Sequence, residues 1–294
     1  MKQIICIVGP TGVGKTKLSI ELAKKYNGEI INADSTQVYK GLNIATAKIQ
    51  EEEKEGIVHH LFDIKELEEN YTVYDYQNDC RKKIEEIQAK GKTPILVGGT
   101  GLYIKAALYD YELEEETNQM ILYKEDTATL YERLLKVDPN TEIHPSNRKR
   151  IERALYYYET TGKRLSEKKK ADNLLYPAIV LGLTMDRNLL YERINDRVDI
   201  MVKEGLLEEA KQIYESGIRT KAVMTPIGYK ELFPYFEGQE TLEVCLDQIK
   251  QHSRNYAKRQ YTWFRHQMDV EWLDVDIKHF ENTISEACQI IQNR

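Results

Sequence analysis

The chain has little that would tie it to a membrane, a disulfide framework or a zinc site. Its four cysteines, Cys6, Cys80, Cys245 and Cys288, stand far apart and form no C-x-x-C pair, which excludes the spacings of a disulfide scaffold or a zinc knuckle. They are expected to be reduced, partly buried thiols. No apolar run approaches the roughly 18 residues of a membrane span, and the first residues enter a strand-like run instead of a signal sequence. A cytoplasmic location with no membrane partner is therefore expected. Positive charge is not in excess: 42 Lys and Arg face 48 Asp and Glu, a net charge of −6. That balance excludes a chain coated in positive charge but leaves room for local basic patches. Internal repeats and low-complexity tracts are absent. What remains, in 294 residues that are 41% hydrophobic and 31% charged, is a globular chain long enough for a large core and a second lobe.

Its organising stretch is Gly9-Pro10-Thr11-Gly12-Val13-Gly14-Lys15-Thr16, a G-x-x-x-x-G-K-[ST] loop. The apolar run Ile4–Val8 before it reads as a buried parallel strand. Leu18, Ile20, Leu22 and Ala23 after it, set among charged residues, read as a helix that stops at Asn27-Gly28. The loop thus sits between strand and helix, where its mechanism requires it. Glycines let backbone N–H groups turn around an anion, the helix N-terminus adds its dipole, Lys15 supplies a point charge, and the Thr16 hydroxyl can ligate Mg²⁺. An ordinary glycine-rich turn would not need that context. The loop does not say whose phosphate it holds.

Glu29–Ala33 reads as a second strand delivering Asp34-Ser35-Thr36-Gln37-Val38-Tyr39 at its carboxyl end, the end that carries ligands in an open α/β sheet. Asp34 can there ligate Mg²⁺, accept a proton from a substrate, or cap a helix. Ile49–Glu55 reads as a solvated helical face or loop. The pair His59-His60 has no third ligand at suitable spacing, which favours a structural or hydrogen-bonding role. Val73, Tyr76, Cys80, Ile84 and Ile87 recur at helical steps up to Gly91, and Thr93–Val97 forms a further strand ending in Gly98-Gly99-Thr100-Gly101-Leu102-Tyr103. One aspartate-bearing and two glycine-rich strand ends would converge on one sheet edge. No such run ends in the aspartate of a Walker B element, which disfavours a motor or switch ATPase and favours a transferase.

From Tyr109 to Tyr176 the composition changes: Glu112–Glu116 is acidic, Leu130–Val137 is helical, and a helix follows His144-Pro145 and runs to Thr161-Gly162. Between residues 144 and 170, Arg148, Lys149, Arg150, Arg153, Lys163, Arg164, Lys168, Lys169 and Lys170 oppose only Glu152, Glu159 and Glu167. A basic run can be a plain solvated face; against the global sign, this one points to a polyanion partner. Tyr156, Tyr157 and Tyr158 read as packing residues. Ala178–Leu183 returns to the strand pattern. On the helix from Asp186 to Val202, Arg193 and Arg197 share a face and suit a diphosphate, with ion pairs to Glu192 and Asp196 as the rival reading. The last long helix carries His252, Arg254, Tyr256, Lys258, Arg259, Tyr261, Trp263 and Arg265 with no acid from Lys250 to Arg265, an interleaving that can grip a nucleic-acid backbone while stacking on bases. Tyr261, Trp263 and Phe264 can equally be core. The pattern predicts an α/β, P-loop NTPase-like parallel sheet flanked by helices, built from residues 1–110 and 176–294, with a mainly helical insertion at 111–175.

Six ordered blocks, Gly9–Thr16, Asp34–Tyr39, Gly98–Tyr103, Arg150–Leu155, Ile227-Gly228-Tyr229-Lys230-Glu231 and Lys258-Arg259-Gln260-Tyr261-Thr262-Trp263, resemble in order and spacing the bacterial tRNA dimethylallyltransferases. The resemblance spans nearly the whole chain. It implies transfer of the dimethylallyl group of dimethylallyl diphosphate to N6 of adenosine 37, beside the anticodon of tRNAs reading codons that start with U. It implies further that Gly9, Thr11, Gly12, Val13, Gly14, Lys15 and Thr16 hold the diphosphate with Arg197, with Mg²⁺ at the Thr16 hydroxyl. Asp34 would accept the N6 proton. Asp34, Ser35, Thr36, Gln37 and Thr100 would meet tRNA in the reaction channel, while Lys149, Arg150, Arg153, Arg254, Lys258 and Arg259 would clamp the anticodon stem-loop as a monomer. The family is usually longer where this chain has Leu113–Leu130, so no residue is carried over there.

Overall fold

The computed structural model describes residues 3–111, 113, 123–167 and 173–294. The chain forms two compact units, Met1–Leu113 with Asn173–Arg294, and Glu114–Asp172.

The first unit is a six-stranded, all-parallel sheet in the order β3-β2-β4-β1-β5-β6. In chain order its elements are β1 (Ile4–Val8), α1 (Lys15–Lys25), β2 (Gly28–Asn32), β3 (His59–His60), α2 (Val73–Ala89), β4 (Thr93–Gly98) and α3 (Gly101–Leu108). Helices α4 (Thr127–Val137) and α5 (Arg148–Thr161) belong to the second unit. Then follow β5 (Ala178–Thr184), α6 (Arg187–Lys203), α7 (Leu206–Glu215), α8 (Lys221–Met224), α9 (Phe233–Phe236), α10 (Leu242–Gln267), β6 (Glu271–Asp274) and α11 (Phe280–Gln292). Every residue of β1 and β2 is buried, as apolar runs of a sheet covered on both faces require. The chain builds leftward from β1 and then rightward through β5, so the strand order reverses beside β1. That switch point is where an open α/β sheet leaves a crevice at its carboxyl edge.

Leu18 and Leu22 of α1, Leu190 and Ile194 of α6, and Phe280, Ala287 and Ile291 of α11 close one hydrophobic core with Ile5, Ile7 and Leu181. The other sheet face is braced by α2, whose start is fixed by a capping box: Thr72 Oγ1 accepts the Asp75 N–H, and Asp75 accepts the Thr72 N–H. Arg81 and Gln77 of α2 donate to the carbonyls of Ala106, Ala107 and Tyr109, satisfying the C-terminal orphans of α3. Cys6, Cys80, Cys245 and Cys288 are free and fully buried, deeper than the partial burial expected. Among the described residues no helix is long and apolar enough to cross a membrane.

The second unit packs Leu130 and Leu134 of α4 on Ile151, Ala154 and Leu155 of α5. Arg148 belongs to its framework: its guanidinium donates to the carbonyls of Tyr123 and Glu125 at 2.7 and 2.8 Å and pairs with Glu152. Lys149 and Arg150 are exposed, as is Arg153. Tyr156, Tyr157 and Tyr158 are half-buried. Lys168, Lys169 and Lys170, and the acidic run Glu112–Glu116, lie wholly or largely outside the described residues.

Candidate functional site

The site begins with a contrast between two helix starts. Helix α2 is sealed by its own side chains, whereas α1 begins at Gly14, left-handed at φ 107°, with no side-chain cap. Its first N–H groups are left for an anion, in line with the helix dipole. Gly9 at φ 137° carries the chain out of β1; a Cβ there would stand 2.8 Å from the Leu183 carbonyl oxygen. Val13 points into the core and anchors the loop from behind.

A cleft of ≈ 1660 Å³ opens at this edge. From the phosphate loop, Thr11, Gly12, Gly14, Lys15 and Thr16 line it; from the end of β2, Asp34, Ser35, Thr36 and Gln37; from α6, Arg197; and from α10, Arg259. Gly9 and Val13 sit behind the loop. Thr100 lies outside the lining, where its Oγ1 accepts the Ser35 N–H at 3.1 Å. Arg254 is turned to α6, donating to Asn195 Oδ1 at 2.6 Å, and Lys258 is exposed off the cleft wall. Lys149, Arg150 and Arg153 belong to the other unit.

Burial pushes Lys15 down to about 8; the Asp34 carboxylate offsets part of that shift, and Arg197 adds to it. Its Nζ donates to the Pro10 carbonyl at 2.7 Å, so the ammonium is held within the loop. Burial also lowers Arg197, which Glu53 and Glu204 offset from a distance. The rival ion pairs do not form: among the described residues Arg197 has no carboxylate within 4 Å, and Arg193 donates its Nε instead to the Gly12 carbonyl at 3.1 Å. Both arginines line the cleft; Arg193 is tied to the phosphate loop through Gly12, and Arg197 is not.

Asp34 does not cap a helix, because a turn follows it. Its Oδ1 accepts both the N–H and the hydroxyl of Thr36, at 3.0 and 2.7 Å, while its own N–H donates to Asn32 Oδ1 at 2.9 Å. The carboxylate is fixed through this oxygen, and among the described residues the other has no hydrogen-bond partner. His59 and His60 hold structure: Nδ1 of His59 meets the Ile57 carbonyl, and Nε2 of His60 meets the buried Glu29.

Sequence reasoning missed Gln260. Buried on α10, it accepts the Thr11 N–H at 3.2 Å and donates to the Gly99 carbonyl at 3.1 Å, tying two strand ends together. A signal was present: Gln260 shares a three- and four-residue spacing with the buried Ala257 and Phe264, and a polar side chain on an apolar stripe must find buried partners. Phe264 is core, and Trp263 packs on Gly101, where a Cβ would stand 2.0 Å from the indole. Both rings therefore serve packing.

The IPP transferase family model matches residues 37–267. The chain belongs to this family. It is 48% identical to the tRNA dimethylallyltransferase of Anoxybacillus flavithermus over 100% of this chain and 97% of that protein, and 49% identical to that of Bacillus subtilis over 93% and 91%. Among solved structures, the tRNA isopentenylpyrophosphate transferase of Bacillus halodurans superimposes with a TM-score of 0.77 at 42% identity, covering 100% of this chain and 96% of that one. A eukaryotic dimethylallyltransferase acting on tRNA gives 0.88 at 35% identity, covering 100% and 80%. The chain is thus an enzyme of the tRNA dimethylallyltransferase class, on the parallel α/β fold of its relatives. The matched span begins after the phosphate loop and Asp34, so the geometry of those residues is independent of that family match.

Proposed function

We propose that the chain transfers the dimethylallyl group of dimethylallyl diphosphate to N6 of adenosine 37 in the anticodon loop of tRNAs that read codons starting with U. The observation that carries this reading is the meeting of Asp34, Lys15, Thr16 and Arg197 on one cleft in a chain of this family.

The N6–C bond forms as the C–O bond to diphosphate breaks, and the N6 proton must leave. An exocyclic amine is a weak nucleophile, so the free oxygen of Asp34 takes that proton as the bond forms. The uncapped N-terminus of α1, Lys15 and Arg197 stabilise charge that develops on the departing diphosphate. Adenosine 37 must leave its stack to enter such a cleft. The Thr16 hydroxyl gives a hard oxygen ligand beside the phosphate loop, which suits Mg²⁺, an ion that binds through one or two protein oxygens plus substrate phosphates. When bound, Mg²⁺ supplies charge neutralisation at the diphosphate. Residues of the second unit and α10, Lys149, Arg150, Arg153, Lys258 and Arg259 among them, would hold the anticodon stem-loop largely through its backbone.

The test is to incubate the protein with Mg²⁺, dimethylallyl diphosphate and unmodified tRNA, digest the tRNA, and search by mass spectrometry for N6-dimethylallyl adenosine, with AMP and ATP as parallel substrates. Product at position 37 is expected; product on AMP alone would overturn the reading. Asp34→Asn should cut transfer by about 10² or more while tRNA affinity stays within a factor of about two. Equal losses in both would remove Asp34 as the base.

A further inference from the structure

The block Ile227–Glu231 has no part in the chemistry above, yet it is built tightly against the cleft. Gly228 stands at φ 121°, and a Cβ there would come within 2.7 Å of the Ala45 side chain. Tyr229 is fully buried and donates its hydroxyl to Glu209 at 2.7 Å; the same carboxylate accepts the N–H groups of Asn43, Ile44 and Ala45 on the cleft wall. Glu231 is the third fixed point. Its carboxylate is 2% exposed, with Oε2 accepting the Gly228 N–H at 2.9 Å and Oε1 meeting Nδ1 of His252 at 3.0 Å.

A buried carboxylate thus grips one edge of an imidazole that is itself 47% exposed and lines the cleft. The carboxylate sets Nδ1 as the donor and turns Nε2 outward. Among the described residues Nε2 has no partner. His252 lies one helical turn from Tyr256 and about two from Arg259 and Gln260 on the cleft-facing side of α10. Eight residues of helix place it about 12 Å along the axis from Gln260, which touches the phosphate loop.

We propose that His252, oriented by Glu231, is a tRNA-binding residue that donates from Nε2 to a backbone phosphate of the tRNA as it enters the cleft. The inference rests on the functional reading above. With Nδ1 held by the Glu231 carboxylate, the outward Nε2 edge of the ring is the one that can meet a phosphate. Lys230 and Arg259 line the same cleft and add positive charge along the path. The other phosphate source, dimethylallyl diphosphate, would sit at the phosphate loop on the functional reading above, so the two substrates separate the alternatives.

Steady-state kinetics with each substrate varied in turn, and filter binding of unmodified tRNA, test the proposal on the full chain. His252→Ala should raise KM and Kd for tRNA about fivefold or more, with KM for dimethylallyl diphosphate and kcat within about twofold. His252→Lys should recover most of the tRNA affinity, because it restores a hydrogen-bond donor at this position. Glu231→Gln should shift tRNA KM in the same direction as His252→Ala, and the double variant should be no worse than His252→Ala alone. A rise in KM for dimethylallyl diphosphate in place of tRNA, or tRNA binding unchanged by His252→Ala, overturns the proposal and leaves the enzyme's activity standing. Absence of both transfer and tRNA binding in the wild-type protein would instead overturn the functional reading, and this inference with it.

Discussion

Gln260 Oε1 accepts the N–H of Thr11 at 3.2 Å, across 249 residues of chain. Because the same side chain donates to Gly99, the phosphate loop after β1 and the turn after β4 keep a fixed spacing. Gly99 has no room for a Cβ, which would stand 2.0 Å from Gln260 Nε2. Gln260→Leu keeps the volume and leaves a buried carbonyl and a loop N–H without partners. The expected cost is about 1–3 kcal/mol for such groups, read as a lower Tm, together with a several-fold rise in KM for dimethylallyl diphosphate. A lower Tm with unchanged KM would show that the loop holds its shape without this tie.

The phosphate loop, the strand after it and the convergence of strand ends were legible because each rests on local rules: β-branched runs, glycines at φ above zero, and a lysine next to a helix start. Asp34 was legible as a site residue, and of its three possible roles the turn that follows it removes helix capping. Arg193 and Arg197 looked equivalent on a helix face; only the approach of α6 to Gly12 tells them apart, tying Arg193 to the phosphate loop. Gln260, Glu209 and the Glu231–His252 pair escaped for the same reason. Each acts across more than 20 or 160 residues of chain or on a backbone group, and periodicity carries no record of such partners.

Lys15 stands against the stability of its own fold. Its folded pKa, about 8, lies below its ordinary value of 10.5, so the folded state gives up a proton that the unfolded chain keeps. The penalty is full below pH 8 and fades as pH rises from about 8 to 10.5. Lys15→Met should therefore raise Tm at pH 7 while abolishing transfer, and its advantage should shrink towards pH 10. The affinity of the wild-type protein for dimethylallyl diphosphate should fall as pH climbs past about 8. A less stable Lys15→Met at neutral pH would contradict this account.

Glu29 has the opposite sign. Burial alone would raise it, but hydrogen bonds from Lys92, His60 and Lys90 outweigh burial and hold it at about 2, below its ordinary 4.5. Its contribution to stability is present above pH 4.5 and is lost as pH falls towards 2. Urea titrations across that window should show stability declining in the wild-type protein. Glu29→Gln should flatten that decline and cost about 1–3 kcal/mol at pH 7, where the buried acceptor loses its charge. Parallel pH slopes in the two proteins would remove Glu29 from the acid transition.

The second unit offers a test that leaves the reaction centre untouched. On α5, Arg148 is spent on the carbonyls of Tyr123 and Glu125, so its loss should lower stability. Arg150 and Arg153 are exposed on the same helix. Neutralised phosphates release counterions, and each such contact contributes roughly 0.7–0.9 to the slope of log affinity against log salt. Arg150→Glu with Arg153→Glu should therefore weaken tRNA binding most at low salt and reduce that slope by about one to two. Transfer at saturating tRNA should persist, since Asp34, Lys15 and Arg197 belong to the other unit. Unchanged binding with slower turnover would mean that α5 does not grip the stem-loop, and the polyanion reading of this basic helix would fall.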